Sequence, residues 1–103
     1  MTPKQKQKCK QILEHYGAKN QRRQLVEECS ELITAIVKLE RAIDARDPAL
    51  LFVATGGVRE ELADVEIMLE QMKNTQLVGT KRGYNAVIDF KLNRQLDGMK
   101  EGE

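Results

Sequence analysis

Two stretches of this 103-residue chain carry carboxylates in one repeated pattern. Leu25-Val26-Glu27-Glu28-Cys29-Ser30-Glu31-Leu32 aligns without gaps to Val58-Arg59-Glu60-Glu61-Leu62-Ala63-Asp64-Val65. Helical residues advance about 100° each, so Glu28 lies about 60° from Leu25 and Glu31 about 120° on the same side. Glu61 and Asp64 bear the same relation to Val58. Carboxylates three residues apart are neighbours on a helix surface, so each pair is expected to form a two-pronged claw at the flank of its own apolar seam. If the two seams pack as a helical hairpin, both claws are drawn toward one groove. Four negative charges gathered there raise one another's pKa or recruit a cation. An all-oxygen ligand set suits a hard divalent ion, Mg²⁺ with Mn²⁺ as a substitute. A di-iron centre on bundle helices commonly uses Glu-x-x-His, and the sole histidine, His15, stands in no such motif.

Long helices are needed to hold these groups, and the sequence supplies them. Thr2 and Pro3 read as the cap and first residue of a short helix, with Cys9, Ile12, Leu13 and Tyr16 at helical spacing until Gly17. From about Asn20 to Ala45 the apolar residues Leu25, Cys29, Leu32, Ile36, Leu39 and Ile43 alternate steps of four and three. Asp47 and Pro48 are expected to cap a short helical piece through Phe52, and Thr55-Gly56-Gly57 to break it. A third helix then restarts at Val58 and continues through Leu62, Val65, Leu69 and Met72, with Met68 broadening its apolar face. After the turn-rich stretch from Asn74 to Gly83, a last helix from about Asn85 can gather Tyr84, Val87, Ile88, Leu92, Leu96 and Met99 on one face. No segment sustains strand alternation. The expected fold is all-α, a four-helix-bundle-like core of long antiparallel helices in a single domain spanning 1–103.

Composition fits this and narrows the partners. The chain is 41% hydrophobic and 32% charged but only 4% aromatic, without tryptophan, so aliphatic side chains must build a core of the modest size that such a length allows. A net charge of +1, from 17 basic and 16 acidic residues, leaves no sequence-wide electrostatic footprint for nucleic acid. Lys4, Lys6, Lys8 and Lys10 alternate strictly and so spread around their helix. With two cysteines and no apolar stretch approaching a signal peptide or membrane span, a reduced cytoplasmic compartment and no membrane partner are expected.

The paired motifs resemble those of the MazG-type, all-α nucleotide pyrophosphohydrolases, whose signature is Glu-x-x-Glu on one helix and Glu-x-x-Asp on the next. Here these are Glu28-Cys29-Ser30-Glu31 and Glu61-Leu62-Ala63-Asp64, with doubled acids at Glu27-Glu28 and Glu60-Glu61, and a later helix bearing Lys91-Leu92-Asn93-Arg94. The similarity covers roughly residues 20 to 99. The connector from Thr34 to Gly57 is long for the simplest members and leaves base preference open.

The resemblance implies hydrolysis of a nucleoside triphosphate between its α and β phosphates, with Glu28, Glu31, Glu61 and Asp64 as metal ligands. Glu31 is then the candidate general base, and Lys91 and Arg94 are candidate phosphate clamps. Apart from the resemblance, Asn85, Asp89 and Gln24 read as candidate further substrate contacts, with Gln21 and Gln24 offering amides to a base edge. It also implies a homo-oligomer, a dimer or a dimer of dimers, that completes the fold. Two long seams on so short a chain argue the same way. Cys29 reads as a small core residue, His15 as a helix-end surface residue, and Gly56-Gly57 lacks the lysine and hydroxyl of a phosphate loop. The rival reading is a non-enzymatic helical interaction module with solvated acids. A helix-turn-helix DNA binder is disfavoured for want of a basic recognition helix.

Overall fold

The computed structural model describes residues 1–102, and among them the protein is all-α. Its elements are α1 (Pro3–Tyr16), α2 (Ala18–Ala45), α3 (Pro48–Met72), a single 3-10 turn (Gln76–Val78) and α4 (Lys81–Glu101). No described helix is long and apolar enough to cross a membrane. The chain divides into two compact units, Met1–Met72 and Lys73–Glu103.

In the first unit the helix boundaries follow local chemistry. Thr2 caps α1 in a reciprocal box, its hydroxyl accepting from Gln5 N at 3.1 Å while its own N–H donates to the Gln5 side chain at 2.8 Å. Gly17 ends α1 at φ 86° and ψ 152°, a conformation essentially reserved for glycine, and its N–H donates to Leu13 O at 2.8 Å. The next residue already opens α2, two residues ahead of the expected start. Arg46 and Asp47 alone join α2 to α3. Arg46 takes the left-handed conformation with φ 52°, and the Asp47 carboxylate accepts from Ala49 N at 2.9 Å and Leu50 N at 3.3 Å, satisfying donors at the start of α3.

α3 is one uninterrupted helix, so the break expected at Thr55-Gly56-Gly57 does not occur. Each glycine costs about 1 kcal/mol of helix propensity. The packing of α3 along α2 on both sides of this point outweighs that cost, and the Thr55 hydroxyl donates back to Leu51 O at 2.7 Å.

α2 and α3 form the main packed pair of the unit, with α1 set against both. Gln21 meets Gln71, Glu28 and Glu31 meet Glu61, and Ala42, Ala45 and Leu50 share one groove. That order of pairings makes the hairpin antiparallel. The buried stripe is rotated from the expected seams. On α2, Gln21 and Ala42 are buried, with Leu25, Glu28, Leu32, Ala35 and Leu39 half-buried between them, while Ile36 and Ile43 stay exposed. On α3, Val65, Met68 and Met72 are buried and Glu61 half-buried, while Leu62 and Leu69 stay exposed. Both helices are apolar on more than one side, and periodicity alone does not say which side the hairpin covers. Cys9 of α1 is buried, and desolvation, followed by the nearby Glu70 charge, pushes its thiol pKa up.

The second unit holds the 3-10 turn and α4. Thr75 and Thr80 each accept a backbone N–H, from Leu77 at 3.3 Å and Gly83 at 3.0 Å. The Thr80 cap starts α4 at Lys81, four residues before the expected start. Tyr84 is half-buried, and the rest of the expected apolar face, Val87, Ile88, Leu92, Leu96 and Met99, is exposed.

Candidate metal centre

Glu28 and Glu31 lie in the interior of α2 and Glu61 in the interior of α3, well away from the helix N-termini, so complementing a helix dipole does not explain them. Each offers a carboxylate oxygen such that all three atoms fall within 4.8 Å of one another. Glu28 and Glu61 stand within the buried stripes, and Glu31 sits at the edge of the groove, exposed. This corrects the expected flank position for the first two: they replace apolar residues in the interface itself.

Charge and hydrogen bonding make the cluster costly as it stands. Gln24 Nε2 donates to Glu28 Oε1 at 2.8 Å, fixing one carboxylate oxygen. The other oxygen, Glu28 Oε2, and its counterpart Glu61 Oε2 are buried with no hydrogen-bond partner. Buried polar atoms are nearly always satisfied, and anionic oxygens are the most expensive to leave bare. The Glu31 pKa is held above the ordinary carboxylate range, first by the negative charge of Glu28, then by desolvation and by the charge of Glu61. One shared proton relieves part of the repulsion, and a cation would relieve more. Hard divalent ions take carboxylate oxygens at about 2.0–2.6 Å, so oxygens on opposite sides of one ion stand about 4–5 Å apart, which the cluster already spans. The donor set therefore fits such an ion.

The remaining site residues of the sequence reading fall differently. Asp64 is exposed and lies outside the three-carboxylate group, one turn further along α3. The Gln24 amide donor is engaged on Glu28 and so positions a carboxylate. Gln21 is buried and donates to Gln71 Oε1 at 2.8 Å, which makes it part of the interface. Asn85, Asp89, Lys91 and Arg94 all lie on α4 of the second unit and are exposed.

One feature of the site was missed in the sequence. A groove of about 740 Å³ runs from Glu31 and Glu61 toward the α2–α3 turn, with Thr34, Lys38 and Arg41 along its α2 wall. The signal was present: Glu31, Thr34, Lys38 and Arg41 follow one another at steps of three and four, the spacing of one helix face. No family model matches the chain, and no curated protein and no solved structure matches it either.

Proposed function

We propose that this protein is a Mg²⁺-dependent nucleoside triphosphate pyrophosphohydrolase, with Mn²⁺ as a workable substitute. The observation that carries the reading is the convergence of Glu28, Glu31 and Glu61 from two helices, with a buried, partnerless oxygen on two of them. The resemblance of the paired motifs to MazG-type enzymes supplies the reaction class, and on that resemblance alone Asp64 is assigned as a fourth ligand.

In this reading Glu28 and Glu61 hold the cation from within the interface while Gln24 keeps the Glu28 carboxylate oriented. When bound, a divalent cation would polarise the α-phosphate and stabilise the pyrophosphate that leaves. Water attacks the α-phosphorus, a new phosphorus–oxygen bond forms, and the bond to the oxygen bridging α and β phosphates breaks. Glu31, the most accessible of the three carboxylates, accepts the water's proton. Lys91 and Arg94 are assigned to substrate binding by the resemblance, and Asn85 and Asp89 by their place on the same stretch of sequence. The same reading makes the protein a homo-oligomer, a dimer or a dimer of dimers, acting on a soluble nucleotide in the cytoplasm.

Incubating the purified protein with each common ribo- and deoxynucleoside triphosphate and Mg²⁺, then separating products by ion exchange, tests the chemistry. A monophosphate and pyrophosphate should appear with no accumulating diphosphate. Orthophosphate with diphosphate would mean attack at the γ-phosphate and would overturn the assignment. A second reading, a helical interaction module without catalysis, is favoured by the exposed Val26, Ile33, Phe52 and Val53. Failure of every triphosphate to react, together with a thermal midpoint indifferent to Mg²⁺, would select it.

A further inference from the structure

We infer that the groove leading from the carboxylate cluster seats the polyphosphate of the substrate, with Lys38 and Arg41 holding its terminal phosphates. The inference rests on the reading of Glu28, Glu31 and Glu61 as a metal centre, and adds two binding residues that the motifs do not contain. Its first support is charge. The groove is acidic at the end formed by Glu31 and Glu61 and basic where Lys38 and Arg41 line it. A ligand that complements both ends carries anionic groups at each of them, meeting the acids through a cation and the basic residues directly. A nucleoside triphosphate has that character, and a nucleoside does not.

Geometry is the second support. At 1.5 Å per helical residue, Lys38 lies about 10 Å and Arg41 about 15 Å along α2 from Glu31. Side chains on a helix lean toward its N-terminus, so the Glu31 carboxylate shifts the same way as the Lys38 and Arg41 head groups, and the greater length of the two basic side chains closes part of the gap. Leu50 and Val53 make part of the groove wall apolar, and Ala35, Ala42, Ala54 and Gly57 also line it; even a Cβ built on Gly57 would meet no atom within 4 Å. These small residues leave room for a chain of phosphates between the helices. The volume is within the usual range for small-molecule sites.

The donors are the third. Ser30 and Thr34 also line the groove, but their hydroxyls donate to the backbone carbonyls of Glu27 and Ser30, at 2.7 and 3.1 Å. Among the described residues neither Lys38 nor Arg41 is engaged in an ion pair or hydrogen bond. The groove's uncommitted charged donors on α2 are therefore these two, and Arg41 offers a planar fork that matches phosphate.

The test uses inorganic tripolyphosphate, which carries the proposed chemistry without a base or sugar. Its affinity for the protein in millimolar Mg²⁺ would be measured by calorimetry, and Mn²⁺ binding followed in parallel by electron paramagnetic resonance. Tripolyphosphate should bind the wild type, and the Lys38→Gln/Arg41→Gln double variant should bind it at least about tenfold more weakly with Mn²⁺ affinity unchanged. A Lys6→Gln/Lys10→Gln variant, which removes equal charge from α1, should behave as wild type. Equal affinity in wild type and the groove variant, or no tripolyphosphate binding alongside normal Mn²⁺ binding, would overturn the groove assignment alone. Absence of Mn²⁺ binding in the wild type would overturn the metal centre, and the groove assignment with it.

Discussion

At the scale of single residues, the behaviour of Glu31 follows from its two acidic neighbours. Its pKa is raised in the folded protein, so the native state binds its proton more tightly than the unfolded chain does. The stability this contributes is present below the ordinary carboxylate pKa and is lost as pH rises through the raised one. Thermal midpoints recorded with a chelator should therefore fall as pH rises above the ordinary carboxylate range. Glu31→Gln should flatten that fall and raise the midpoint near neutral pH, because it removes one of three converging charges without removing volume. Millimolar Mg²⁺ should raise the wild-type midpoint by linkage, and Glu28→Gln with Glu61→Gln should abolish the rise. Glu31→Gln should also lower turnover by about 10²-fold or more, the scale of a lost general base, as initial rates of pyrophosphate release would show. The phase of these acids was legible in the sequence, since matching steps of three on two helices fix their angular positions. Burial was not: which oxygens lie bare inside the interface depends on how the helices are rotated about their axes, which the spacing of one helix does not contain.

At the scale of elements, the helices themselves were legible because caps and periodicity agree at Thr2-Pro3, Gly17 and Asp47-Pro48. Gly56-Gly57 was misread because propensity is a local and weak term, while the packing of α3 along α2 is not local. The cost of those glycines persists within the intact helix. Gly56→Ala meets no atom within 4 Å and should stabilise the protein by about 0.5–1 kcal/mol, read as a shifted denaturant midpoint at unchanged slope. Gly17→Ala should do the reverse. Its backbone, at φ 86° and ψ 152°, would strain any side chain by about 1–3 kcal/mol, and the same denaturation experiment gives its size.

At the scale of the whole molecule, the apolar residues that the hairpin leaves uncovered become informative. Phe52 is 82% exposed and Val53 71%, both near the start of α3, while Val26 and Ile33 stand out on α2 at a helical spacing of seven. Exposed apolar side chains on both helices are surface that a partner can cover. A self-complementary contact between copies is the commonest way to cover it. Light scattering at micromolar concentration should find a dimer or tetramer, and Phe52→Glu should shift it toward monomer while leaving helical content unchanged, because an exposed side chain supports little within its own chain.

The buried Gln21–Gln71 pair has a consequence of a different kind, for the alignment of the hairpin during folding. A seam of aliphatic residues repeating at steps of four and three can slide by seven residues and still bury most of its surface, which leaves a misaligned isomer close in energy. Gln71 is fully buried, and sliding would strand its amide and that of Gln21 without each other. Only the native alignment satisfies both, and that alignment also brings Glu61 opposite Glu28 and Glu31. Replacing both glutamines by leucine should leave the protein as stable or more so yet allow a population of slipped hairpins. Paramagnetic labels on α2 and α3 would detect them as a second distance distribution.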